Sequence, residues 1–166
     1  IGGRGDLSFN DMAYAGLERA INELGVDGVD LEPSEGGENR AELLGLLAEQ
    51  GKDLIIGVGF LFADSITEVA TANEGVNFGI VDSVVEPGNV AGMVFTEHEG
   101  SFLVGVAAGL KTTTKQVGFI GGVEFALIQK FEAGFVAGVA AACPECTVDV
   151  KYCLLYTSPS PRDTDL

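Results

Sequence analysis

Two stretches decide the fold: Asp53-Leu54-Ile55-Ile56-Gly57-Val58-Gly59-Phe60-Leu61-Phe62-Ala63-Asp64 and Val76-Asn77-Phe78-Gly79-Ile80-Val81-Asp82. Each holds a short apolar run closed by Gly or Asp. Between them, from Ala63 to Asn73, Ile66, Val69 and Ala70 recur at helical spacing. A continuous apolar run such as Asp53–Val58 predicts a strand covered on both faces. Strand, helix and strand in that order form a parallel unit with a helical crossover.

The same alternation extends in both directions. Upstream, Ser8 to Leu24 reads as a helix with Ala13, Leu17, Ala20, Ile21 and Leu24 inward. Ser8 caps it, with Asp11 three residues on, and Gly25 stops it. Val26–Leu31 alternates weakly, as a short strand, and Glu32–Glu38 is a polar turn. A helix follows from Asn39 to Gln50, with Leu43, Leu44 and Leu47 inward. Downstream, Val90–Phe95 is a strand and Glu97–Leu110 a helix with Phe102, Leu103, Val106 and Leu110 on one side. Lys111–Lys115 is a polar, hinge-like connector. Val117–Ile120 is a strand ending in Gly121-Gly122. Glu124–Ala142 is a long helix and Thr147–Tyr152 a last strand. The order predicts an α/β fold with doubly wound parallel sheets.

Composition narrows the function. The 166 residues carry 25 acidic and 9 basic side chains, a net charge of -16, with 46% hydrophobic residues. That balance excludes a disordered chain. It also argues against nucleic acid, which needs clustered Lys and Arg, and against anionic lipid. Apolar runs such as Leu54–Ala63 and Ala133–Cys143 fall short of the roughly 18 residues of a membrane span. Asp27, Asp30, Glu32, Glu35, Glu38, Glu42 and Glu49 form an acidic, solvated stretch.

The two ends read differently from the middle. Ile1-Gly2-Gly3-Arg4-Gly5-Asp6 is loop-like, with no strand before it. From Cys153 to Leu166 periodicity vanishes, and Cys153 through Asp163 resembles a translated sequencing adapter. That tail is set aside from fold reasoning. The expectation is an internal piece of a longer protein, cut at both ends.

Ligands of open parallel sheets bind beyond the carboxyl ends of the strands. Asp82 ends one strand; Gly57, Gly59 and Phe60 follow another; Gly121 and Gly122 follow a third. Ser8-Phe9-Asn10-Asp11 opens the first helix, whose free N–H groups favour polar ligand atoms. Each has a plainer reading. Asp82 serves equally as a turn former, Phe9 as a hydrophobic staple, and the glycines as tight turns. Gly57-x-Gly59 lacks the third Gly of a dinucleotide loop, and there is no phosphate loop with its Lys. His98 is the one His, so a metal site or a His-dependent triad lacks partners. Arg4-Gly5-Asp6 reads as a loop. Cys143-Pro144-Glu145-Cys146 closes a helix instead of opening one, which favours a local disulfide or two free thiols over redox catalysis.

Three segments together resemble one family. They are Gly2 to Asn10, with Asp6-Leu7-Ser8-Phe9-Asn10 after a Gly-rich turn; Gly57 to Asp64; and Val117-Gly118-Phe119-Ile120-Gly121-Gly122-Val123-Glu124 followed by Phe131-Glu132-Ala133-Gly134-Phe135. The family is the basic membrane protein group of ABC-transporter substrate-binding lipoproteins, which includes purine nucleoside receptors. The likeness spans Ile1–Tyr152.

The resemblance implies a type I periplasmic-binding-protein fold. Residues 1–110 would be the first lobe, 111–116 the hinge crossover and 117–152 the start of the second lobe. It implies capture of nucleosides, purine favoured, in an interlobe cleft outside the membrane, and delivery to an ABC permease. The full-length protein would be held at the membrane by a lipid anchor absent from this sequence. Phe9 would stack on the base, with Asn10 in a polar or structural role beside it. Asp82 would accept from the ribose hydroxyls. Gly59 and Phe60 would line the cleft, with Gly122 and Val123 facing it from the second lobe. No cofactor or metal is implied. A missing first strand would leave a gap between Val26–Leu31 and Asp53–Val58. The rival readings are a ligand-sensing domain of the same fold in a regulator and an enzyme on a doubly wound fold. The enzyme reading lacks a His, Lys or Cys at a strand exit.

Overall fold

A computed structural model describes residues 3–34 and 36–152. The adapter-like tail from Cys153 to Leu166 lies outside them, as do Ile1, Gly2 and Glu35. The elements are α1 Phe9–Leu24, α2 Arg40–Glu49, β1 Leu54–Gly57, α3 Ala63–Ala72, β2 Asn77–Val81, β3 Val90–Met93, α4 Glu97–Lys111, β4 Gln116–Gly121, α5 Ala126–Ala142 and β5 Thr147–Tyr152. A single 3-10 turn, Phe60–Phe62, leads into α3. The chain divides between Val94 and Phe95 into two compact units.

In the first unit β1, β2 and β3 lie side by side in that order, all parallel. The register pairs Ile55 with Phe78 and Gly57 with Ile80. Side chains alternate across a strand, so Ile55, Phe78 and Ile80 share one face. There they meet Leu44 of α2 and Ile66, Val69 and Ala70 of α3 in the unit's core. Asn89 ties the end of α3 to the loop before β3. Its side-chain amide donates to the carbonyls of Ala70, Asn73 and Val76 at 3.1, 3.1 and 2.9 Å.

Three expectations fail here. Leu54 and Ile56, on the other face of β1, are 58% and 50% exposed, so the sheet is covered on one face. Val26–Leu31 is not a strand. Helix α1 buries no residue. Leu17 and Ile21 lie against Gly28, and Leu24 is exposed. A strand takes its stability from a neighbour's hydrogen bonds. Among the described residues β1 pairs with β2 alone, so no strand pairing joins residues 26–31 to the sheet, and Asp27 meets only the Lys52 ammonium before β1, at 3.0 Å.

The second unit holds α4, β4, α5 and β5, with β4 and β5 parallel from Gln116↔Thr147 to Gly121↔Tyr152. Helix α4 packs along α5, and residues 112–115 are a turn inside the unit. The hydroxyls of Thr112 and Thr114 donate to the Gln116 carbonyl at 3.2 and 3.4 Å. Lys115 pairs with Glu145 at 3.1 Å.

The inward face of α4 also differs from the apolar stripe expected. Its buried residues are Ser101, Gly105 and Gly109, while Leu103 and Leu110 are exposed. They meet Gly134, Phe135, Gly138 and Val139 of α5. The Ser101 hydroxyl donates to the Phe131 carbonyl at 2.6 Å. At the start of α4 the Glu97 side chain is 6% exposed and accepts from Lys130 Nζ at 3.5 Å. The Phe135 ring sits 5.7 Å from that of Phe119 on β4. Tyr152, ending β5, donates its hydroxyl to Glu132 of α5, and this bond raises its pKa to about 12. Cys143 and Cys146 are joined in a disulfide across the α5–β5 turn, Cα atoms 5.3 Å apart.

Candidate functional site

The candidate site of the first unit lies at the carboxyl edge of its sheet. β1 runs out through Val58 to Gly59, and β2 runs out to Asp82. Because Gly57 pairs with Ile80, parallel register carries Gly59 and Asp82 to the same level beyond the strands. Gly59 has φ +108 and ψ 152, a conformation open to Gly alone. Its carbonyl accepts the Phe62 N–H at 3.1 Å, which closes the 3-10 turn begun by Phe60.

Phe9 opens α1 and reaches this turn. Its ring carbon Cε1 lies 3.7 Å from the point a Cβ on Gly59 would occupy. Phe9 is 43% exposed. Phe9 and Gly59 thus form a partly open aromatic surface against bare backbone. Phe60 is half-buried directly after Gly59. Asp82 is half-buried too, in the left-handed region with φ 64. Asp tolerates that region better than most residues. Its N–H donates to the Met93 carbonyl at 2.8 Å, which holds the strand exit against β3.

The loop that presents Phe9 is organised by Asp6, the first residue of the Asp6-Leu7-Ser8-Phe9-Asn10 run. The cap was expected from Ser8, yet the Ser8 side chain makes no capping bond. Asp6 takes that place. Its carboxylate accepts the N–H groups of Ser8, Asn10 and Asp11 at 2.9, 2.9 and 3.2 Å. The Asn10 amide donates to it at 3.0 Å, so Asn10 braces the loop. Asp11 in turn accepts from the N–H groups of Gly5 and Leu7 at 2.7 and 2.8 Å. Arg4 stacks 3.4 Å over the Tyr14 ring and pairs with Asp30 at 3.3 Å. The Arg4-Gly5-Asp6 run is therefore a folded loop start.

These bonds set a pH dependence. Donation from the N–H of Asn10 and then of Ser8 lowers the Asp6 pKa to about 2. The folded value lies below the unfolded one, so the contribution is complete above about pH 4 and fades as pH falls toward 2. Asp6→Ala is expected to speed hydrogen exchange in the first turn of α1 at neutral pH. It should also flatten that turn's protection between pH 4 and 2. An unchanged exchange profile in the variant would remove Asp6 from this role.

Gly122 and Val123 belong to the second unit. They follow Gly121 at the carboxyl end of β4, both half-buried. Gly121 itself is buried, and a side chain there would press on the Tyr152 ring and Ile128. The structure thus brings Phe9 to Gly59 and sets Phe60 and Asp82 on the same edge. Gly122 and Val123 occupy the matching edge of their own sheet.

No described helix is long and apolar enough to cross a membrane. The profile of one family, described as ABC transporter substrate-binding protein PnrA-like, matches residues 1–155. The chain is 40% identical over 156 residues to a CD4+ T-cell-stimulating antigen of Listeria innocua, covering 91% of this chain and 44% of that protein. It is 34% identical over 154 residues to the ABC transporter nucleoside-binding protein BmpA of Lactococcus lactis, covering 90% and 44%. The crystal structure of an ABC transporter solute-binding protein from Aeropyrum pernix superposes with a TM-score of 0.81 at 32% identity, over 92% of this chain and 45% of that one. The chain spans about half the length of these proteins. Over nearly all of its length it belongs to the PnrA-like family of ABC transporter substrate-binding proteins.

Proposed function

We propose that the full-length protein is an extracytoplasmic, lipid-anchored receptor that captures nucleosides, purines favoured, between two α/β lobes and delivers them to an ABC permease. The observation that carries this reading is the Phe9 ring beside the bare Gly59 backbone, with Asp82 on the same sheet edge. A nucleoside has one flat apolar part and one vicinal diol. An aromatic ring stacks on the first, and a carboxylate accepts two hydrogen bonds from the second. Phe9 would take the base, and Asp82 the ribose. Gly59 and Phe60 would line the first lobe's side, and Gly122 and Val123 the second's.

Charge supports the choice within this class. A chain of net charge -16 repels phosphorylated ligands and admits neutral ones. The nucleoside-binding name of the Lactococcus relative points the same way. The test is titration calorimetry of the full-length protein with inosine, adenosine, cytidine, AMP and a panel of sugars. Saturable binding of the purine nucleosides, weaker binding of cytidine and none of AMP is the expected order. A preference for sugars, or no nucleoside binding, sinks the proposal.

A further inference from the structure

Arg40 opens α2 and sits in an enclosure that a surface arginine does not need. Its Nη1 donates to the Gly37 carbonyl at 3.1 Å. Its guanidinium carbon lies 5.6 Å from the centre of the Phe62 ring, above it. On its other side it rests on Gly37, which is buried and has φ +77; a side chain there would overlap the guanidinium. The Nε atom is buried with no hydrogen-bond partner among the described residues. A charged group held dry at one atom costs free energy, so this placement is offset by what Arg40 holds.

What it holds is the turn after β1. Phe62 ends the 3-10 turn whose first bond runs from its own N–H to the Gly59 carbonyl. Its ring base lies 3.0 to 3.1 Å from where a Gly57 Cβ would stand. The Phe62 ring is therefore pinned beneath the strand end by Gly57 and clamped by the Arg40 guanidinium. Gly59, at the front of the same turn, faces Phe9. The order of contacts is Gly37, Arg40, Phe62, the turn, and then the Phe9 surface.

We infer that Arg40 is a positioning residue for the ligand surface: its guanidinium, seated between Gly37 and Phe62, fixes the Gly59–Phe62 turn against which Phe9 packs. This rests on the proposed function for its consequence in affinity, and not for its consequence in the turn. Arg40 meets Gly37 and the Phe62 ring. It acts as a supporting group that removes freedom from the residues that do, which lowers the ordering cost of binding.

The experiment has two arms on the full-length protein. In the first, amide hydrogen exchange is followed at Gly59–Phe62 without ligand, in wild type, Arg40→Met, Arg40→Lys and Gly37→Ala. Arg40→Met and Gly37→Ala are expected to speed exchange of the Phe62 amide about tenfold, with partial recovery in Arg40→Lys, because Lys keeps the cation over the ring but not the planar fork. The second arm measures inosine affinity well below the melting temperature. The same two variants are expected to bind about tenfold more weakly than wild type, with no loss of saturation stoichiometry. Unchanged exchange at Phe62 in Arg40→Met overturns the inference whatever inosine does. Faster exchange with inosine affinity within twofold of wild type also overturns it, since the turn would then be fixed for stability alone. If wild type binds no inosine, the functional proposal falls, and the exchange arm still decides whether Arg40 positions the turn. Should Gly37→Ala fail to fold, the two Arg40 variants carry the test.

Discussion

Gly138→Ala is expected to destabilise the second unit by about 3 kcal/mol, although it replaces the worst common helix former with the best. Propensity alone predicts the opposite sign, a gain of up to about 1 kcal/mol. Contact decides the matter. A Cβ on Gly138 would overlap the Phe102 carbonyl of α4, and a Cβ on Gly105 would overlap the Phe135 carbonyl of α5. Gly134 stands in the same relation to the His98 carbonyl. The obstacle in each case is backbone, which cannot rotate away as a side chain would. The helices would have to move apart, and with them the contacts of Val139, Ser101 and Phe135. Gly100→Ala is the control. It lies on the same α4, exposed, with nothing within 4 Å of its would-be Cβ. It should raise the melting temperature slightly. Thermal unfolding of the full-length protein followed by circular dichroism reads both. A Gly138→Ala protein as stable as the Gly100→Ala protein would mean that the close helix approach is not what holds α4 and α5 together.

The same contact explains what the sequence could not disclose. Helix α3 was legible because Ile66, Val69 and Ala70 are apolar, spaced at the helical period, and buried on the face that period selects. Helix α4 was legible as a helix but not in its orientation. The residues it buries are Gly and Ser, which carry no hydrophobic signal, and its Leu side chains point outward. With no apolar stripe on that face, the sequence does not show that α4 packs along α5 in the unit that begins at Phe95. Val26–Leu31 failed for a different reason. Alternation marks the capacity to be a strand, while strand formation needs a neighbour's hydrogen bonds. The site divides along similar lines. Gly59, Phe60 and Asp82 follow from the rule that ligands gather at the carboxyl ends of parallel strands. The loop brace of Asp6 was open to discovery, since an Asp two residues before Ser8 can accept several N–H groups at a helix start. Arg40 was not. An Arg after Gly-Gly-Glu-Asn reads as a solvated helix start, and only its seat between Gly37 and Phe62 tells otherwise.

Asp82→Asn is expected to weaken inosine binding by about 100-fold, and the choice of substitution matters as much as the residue. Asp82 stands at φ 64, where Asn is as comfortable as Asp and Ala is strained. Its N–H bond to Met93 is a backbone bond, so Asn keeps it. Asp82→Ala would mix a lost ligand contact with a distorted strand exit, whereas Asp82→Asn removes charge and one acceptor and leaves the shape. A carboxylate that accepts from both ribose hydroxyls makes two charge-assisted bonds, each worth about 1.5–3 kcal/mol. The amide retains one neutral acceptor and turns an N–H donor toward the other hydroxyl. The ligand can be varied in step with the protein. Wild type should bind inosine far better than 2′,3′-dideoxyinosine, and Asp82→Asn should bind the two nearly alike. The two changes then fail to add, as expected for groups in direct contact. Additive losses, or an Asp82→Asn affinity within about threefold of wild type, would place the diol elsewhere and leave Asp82 as a turn former at the end of β2.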